Sequence, residues 1–193
     1  MHQDNKQPFY IIEGVDGAGK TTLGNLLSSR LNASFYERPN GFGQAMELIN
    51  PVASPTSRFL FFLAYTQQTS DEVSAIRSIK PVVCVRYIYT AIVYHVIKGL
   101  DIEWACSIAN SLVLEKPTKI IFLDVINKKE RLARLNERGL TREDELMLDK
   151  IEEVRYHYVN VVKKLGVEEL IVNIDTSGKT PPKVLTEAIS GLK

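Results

Sequence analysis

Cysteine is scarce in this chain: Cys84 and Cys106 are the two present among 193 residues, and both lie in apolar surroundings. Two thiols make neither a disulfide scaffold nor a zinc cluster, so buried, reduced thiols are expected. His95 and His157 have no metal-ligand partners at helical spacing, and there is no Ser-His-Asp pattern of the hydrolase kind. No stretch approaches the roughly 18 apolar residues that a membrane span requires. Met1 to Gln7 is polar and lacks the apolar centre of a signal peptide, so the expectation is a cytoplasmic protein with no membrane partner. The formal net charge of +1 gives no global attraction to nucleic acid, and any anion must be bound locally. Internal repeats and low-complexity segments are also missing, and 45% apolar with 24% charged residues is ordinary for a folded soluble chain. The length suits one α/β domain, residues 1–193, with a full core.

What is present is a phosphate-binding loop in the right setting. Gly14-Val15-Asp16-Gly17-Ala18-Gly19-Lys20-Thr21 follows the apolar run Phe9 to Ile12 and precedes a helical pattern at Leu23, Leu26, Leu27 and Leu31. A strand that turns abruptly into a helix faces a row of backbone N–H groups toward a polyphosphate, and Gly14, Gly17 and Gly19 permit the close approach. Lys20 can reach the β and γ phosphates, and the Thr21 hydroxyl opens the helix where it can ligate Mg²⁺. The pattern by itself says that a polyphosphate is held here, with Mg²⁺.

Down the chain, strands and helices alternate. Strands are expected at Ser34 to Glu37, Lys80 to Val85, Lys119 to Val125 and Glu169 to Ile174. Helical spacing marks Thr56 to Ile79, Tyr87 to Lys98, Glu103 to Leu114, Asn127 to Arg138 and a long stretch from about Asp144 to Leu165, with a short weak helix at Gly41 to Asn50 and a terminal one after Thr180-Pro181-Pro182. A polar, charged loop is expected at Glu137 to Glu143. Such alternation means a parallel sheet of about five strands covered on both faces, a three-layer α/β/α arrangement.

In such sheets a nucleotide lies at the carboxyl ends of the strands, which singles out Asp16, Glu37-Arg38, Arg86 and Asp124. Arg86 can grip a phosphate bidentately, with a surface ion pair as the equal alternative. Phosphoryl transfer commonly uses a mobile arginine. Arg138 and Arg142 are best placed for that, while Arg131 and Arg134, on the regular helix, lean toward a solvated face. One aromatic from Phe59 to Tyr65 can stack on a base, the rest being core.

These residues resemble the thymidylate kinase family of nucleoside monophosphate kinases over most of the chain. Ile12 through Thr22 is similar to that family's own phosphate loop, Val82 to Tyr87 with Thr90 and Tyr94 to its Asp-Arg-Tyr motif, and Glu137-Arg138-Gly139 through Arg142 to its arginine-bearing lid near residues 137–145. The resemblance implies ATP-dependent phosphorylation of a small nucleotide acceptor, dTMP first, with ATP and Mg²⁺ as the cofactors and Ala18 and Thr22 completing the ATP-binding loop. It assigns Asp16 to the acceptor sugar, Arg86 to the acceptor phosphate, Arg38 to the acceptor site, Phe62 to the base and Tyr94 to the sugar wall. Gly17, with no arginine beside it, implies that the lid supplies the catalytic arginine, Arg138 or Arg142. It also implies a homodimer through the helix around Phe59 to Tyr65. Val85 stands where the family has an aspartate near the metal, Thr66 where many members have a base-reading arginine, and Ala91 and His95 at common polar positions. Two alternatives follow: a nucleoside kinase with Glu37 as base, and a nucleotide-binding protein with little catalysis.

Overall fold

Apolar runs with no polar alternation form the inner strands of a sheet, because both of their faces are covered. The computed structural model describes residues 6–37, 39 and 41–193, the side chains of residues 142 and 143 excepted. Its strands are β1 (Phe9–Gly14), β2 (Ser34–Tyr36), β3 (Val82–Val85), β4 (Lys119–Asp124) and β5 (Ile171–Asp175). They form one parallel sheet in the order β2-β3-β1-β4-β5. All four side chains of β3 are buried, as the unbroken Val-Val-Cys-Val run requires.

Helix α1 (Lys20–Leu31) packs on one face of the sheet beside α9 (Pro181–Gly191). Across the sheet lie α3 (Pro55–Arg77), α4 (Ile88–Val96), α5 (Ile102–Ser111) and α8 (Ile151–Lys164). The short α2 (Phe42–Ile49) precedes α3, and α6 (Lys128–Arg138) and α7 (Arg142–Met147) follow β4. Helix starts are specified locally. Ser54 accepts from the Ser57 amide ahead of Pro55, Asp101 from Trp104, and Asn127 from Lys129 and Glu130.

β1 is central, and the chain leaves it for β2 and β3 on one side and later for β4 and β5 on the other, so the loop after β1 sits where the winding reverses. The register aligns Ile12 with Val85 and Gly14 with Leu123, bringing three carboxyl ends together there.

The structure corrects three expectations. The stretch from Asp144 to Leu165 is two helices, and the first starts inside the expected loop, at Arg142. A turn at 148–150 lets Met147 enter the core beside Ile151 and Val154, leaving Leu148 only half-buried. The last strand begins at Ile171, because Glu168–Leu170 forms a 3₁₀ turn. Of the aromatic cluster, Phe59 and Leu63 are core while Leu60 and Ala64 face solvent.

Candidate active site

The loop from Gly14 to Thr21 is anchored against β4. Gly14 has φ 137°, and a Cβ there would lie 2.0 Å from the Leu123 carbonyl oxygen, so only glycine fits. The next amide, Val15, donates to that same carbonyl at 3.1 Å. Lys20 folds back over the loop: its Nζ donates to the carbonyls of Gly14 and Val15, both at 2.8 Å, and meets Asp16 Oδ1 at 3.3 Å. Burial, reinforced by the nearby Arg86 charge, pulls the Lys20 pKa down to about 8 even though Asp16 opposes the shift.

Asp16 gathers the groups around it. The Arg86 guanidinium donates to Oδ1 at 2.5 Å and the Tyr94 hydroxyl to Oδ2 at 2.6 Å. Burial alone would raise the Asp16 pKa, but the Lys20 and Arg86 charges and the Tyr94 hydrogen bond outweigh it and hold the carboxyl well below the usual range. Arg86 itself has φ 66°, a left-handed backbone unusual outside glycine. Two bonds flank and fix it: the Arg86 amide donates to the Ile12 carbonyl at 3.0 Å, and the Tyr87 amide to Glu13 Oε1 at 2.8 Å. Glu13 is fully buried and also accepts from Thr90 and, at 3.1 Å, from the Tyr158 hydroxyl. Burial raises its pKa, and those three donors oppose the rise. Its part in aiming Arg86 was not legible from residue order, since Tyr158 is 145 residues away.

A cavity of about 630 Å³ opens over the loop, with Asp16 to Leu23 on one side and Arg86, Arg134, Arg138, Thr176 and Lys179 among its other walls. Here the expectation is overturned for Arg131 and holds in part for Arg134, which keeps an ion pair with Glu130 at 2.6 Å along its own helix. Arg131 is buried and its Nε donates to the Asp16 carbonyl at 3.0 Å, while Arg134 binds the Thr176 hydroxyl at 2.9 Å and carbonyl at 2.8 Å and reaches the Gly17 carbonyl at 3.4 Å. The reason is geometric: α6 starts beside the loop, so the face of the helix that carries Arg131, Arg134 and Arg138 lies over it. Arg138 is half-exposed and pairs with the buried Asp144 at 2.5 Å, and Asp144 also closes a capping box with Thr141 that starts α7. Asp124, expected near the nucleotide, is occupied instead by Arg155, which grips it with two bonds at 2.8 and 2.9 Å. Phe62 lies outside these walls, edge-on to His95 at 5.1 Å. Arg38 and the Arg142 side chain lie outside the described residues.

A family model described as thymidylate kinase matches residues 12–181, which takes in the loop, Arg86 and the α6–α7 segment. The chain belongs to the thymidylate kinase family. It is therefore a nucleotide phosphotransferase. A probable thymidylate kinase of Methanococcus aeolicus is 30% identical, the match covering 95% of each chain, and one of Methanococcus vannielii is 29% identical over 93% of this chain and 92% of that one. A thymidylate kinase structure from Candida albicans shares the fold, with a TM-score of 0.76, 20% identity and coverage of 97% of this chain and 94% of that one. Val85, which the resemblance sets at the place of an aspartate, is buried. Thr66 is buried too, and its hydroxyl donates to the Phe62 carbonyl at 2.8 Å within its own helix.

Proposed function

We propose that the protein transfers the γ-phosphoryl group of ATP to dTMP, yielding ADP and dTDP. The observation that carries this reading is the placing of two cations on one carboxylate oxygen: Lys20 from the donor loop and Arg86 from the end of β3 both meet Asp16 Oδ1. A donor phosphate at Lys20 and an acceptor phosphate at Arg86 then stand side by side. A phosphate oxygen of dTMP attacks the γ-phosphorus, the bond from that phosphorus to the β–γ bridging oxygen breaks, and its electron pair leaves with ADP. No covalent enzyme intermediate is needed, because alignment and charge neutralisation suffice.

Lys20 leaves the loop carbonyls to meet the donor phosphates, and Arg138, with Arg142 beside it in the sequence, neutralises charge on the group in transit. Asp16 and Tyr94 face the acceptor sugar, Arg38 joins Arg86 on its phosphate, and Phe62 offers an aromatic face to the base. Magnesium, when bound, neutralises charge on the donor phosphates. Among the described residues no group of three or more His, Cys, Asp or Glu could hold a metal alone. That suits an ion that takes most of its oxygens from phosphate and water, with the exposed Thr21 hydroxyl as a protein donor.

A screen of nucleoside monophosphates and nucleosides with ATP and Mg²⁺, read as ADP release, tests the reading. dTMP is expected to be the best acceptor. Turnover with nucleosides alone would favour the nucleoside-kinase alternative, and no turnover with any acceptor would overturn both.

A further inference from the structure

The carboxylate missing at Val85 has a neighbour one strand away. β2 pairs with β3 through Phe35↔Val83 and Tyr36↔Cys84, so the next residue, Glu37, stands level with Val85. In a parallel pair, level side chains share a face and lie about 4.8 Å apart. That shared face is the one toward α1. A Cβ built on Gly24 of α1 would meet the Phe35 ring at 2.5 Å and a Val85 methyl at 2.9 Å, so Phe35 and Val85 both point there. Tyr36 alternates to the opposite face, where its hydroxyl donates to Glu72 of α3 at 2.5 Å. Glu37 returns to the α1 face, and its Oε1 accepts from the Thr21 hydroxyl at 3.2 Å. Its backbone is pinned as well, since the Tyr65 hydroxyl donates to the Glu37 carbonyl at 2.9 Å.

We propose that Glu37 is the carboxylate of the magnesium shell in this chain, displaced by one strand from the place Val85 occupies. The Thr21 hydroxyl and a carboxylate already in contact with it form a hard-oxygen donor pair of the kind Mg²⁺ takes beside phosphate oxygens. This role also separates Glu37 from that of a sugar base, because its carboxylate is engaged on the donor side of the loop. The assignment rests on the reading of the site as one for a magnesium nucleotide.

Calorimetric binding of a β,γ-imido ATP analogue, with Mg²⁺ and with EDTA, tests it on the wild type, Glu37→Gln and the double variant Glu37→Gln/Val85→Asp. In the wild type Mg²⁺ tightens binding. In Glu37→Gln that gain is expected to shrink about ten-fold while the affinity in EDTA stays put, and the double variant regains it. Electron paramagnetic titration of Mn²⁺ against the protein–analogue complex gives a second reading, with Mn²⁺ affinity expected to fall about ten-fold in Glu37→Gln. An undiminished Mg²⁺ gain in Glu37→Gln, or an equal loss with and without the ion, overturns the assignment and leaves the kinase reading intact. No analogue binding by the wild type under either condition overturns both.

Discussion

Lys20 carries its charge at a cost before any nucleotide arrives. Buried, close to Arg86 and satisfied by two backbone carbonyls and Asp16, it has a pKa of about 8, below the ordinary lysine value. Donor phosphates replace neutral carbonyls with anions, which stabilises the ammonium and moves that pKa up again. The sign follows from linkage. Above pH 8 the free protein has largely lost this proton and the complex has regained it, so binding takes up a proton. Uptake approaches one proton near pH 9 and falls to about a tenth near pH 7, where free Lys20 is already mostly charged. Calorimetry of ATP binding in buffers of different ionisation enthalpy measures it directly, and Lys20→Ala is expected to abolish it. A pH-independent proton count would mean that the lysine is fully charged in the empty site.

At the scale of elements, the face shared by α1 and the sheet is set by a glycine that helix propensity argues against. Alanine at Gly24 would add about 1 kcal/mol of helix preference. The new Cβ, however, would stand 2.5 Å from the Phe35 ring and 2.9 Å from Val85, and overpacking of this kind costs about 1–3 kcal/mol. Two β-strands hold those side chains, so the clash wins. Gly24→Ala is expected to lower the midpoint of thermal unfolding by up to about 8 °C, whereas a rise would show that α1 can lift off the sheet without penalty. No residue neighbouring Gly24 in the sequence signals this contact, because Phe35 and Val85 come from other strands. The same boundary separates what was legible in the sequence from what was not. The strand runs, the loop and the helix start at Asn127 were readable because each depends on local spacing and capping. Arg131 was misread, and Arg134 in part, because their partners, the Asp16 carbonyl and Thr176, lie 115 and 42 residues away. The turn at 148–150 was missed because a steady apolar period runs straight through it, and only the burial of Met147 shows that the chain changes direction. Asp16, Lys20, Arg86 and Tyr94 touch one another beyond the ends of β1 and β3.

Across the whole molecule, polar groups concentrate at both ends of the sheet, but with different consequences. At the carboxyl ends they surround the cavity, where the proposed reaction has them exchange partners with a nucleotide. At the amino ends, Glu115 binds Lys6 and Arg77, both at 2.5 Å, and its amide donates to Ser70 at 2.7 Å. Arg77 also donates to the Gln7 carbonyl at 2.7 Å and lies over the Phe9 ring. This cluster ties the entry into β1 to the end of α3 and the approach to β4, roughly 15–20 Å of strand away from the phosphate loop. Partial burial would raise the Glu115 pKa, but the hydrogen bonds from Lys6 and Ser74 and the charges of Lys6 and Arg77 lower it overall. A carboxylate depressed in the folded state stabilises above its ordinary pKa, and that contribution disappears as the pH falls through the folded value. Glu115→Ala leaves two half-buried cations without their partner and is expected to cost about 1–2 kcal/mol, or about 2–8 °C in midpoint. The gap to the wild type should be full above about pH 5 and close on acidification below the carboxylate range. The dissociation constant for ATP should not move, since rigid strands separate the two ends and none of these side chains lines the nucleotide cavity. A matching loss of ATP affinity would mean instead that the start of β1 and the phosphate loop shift together.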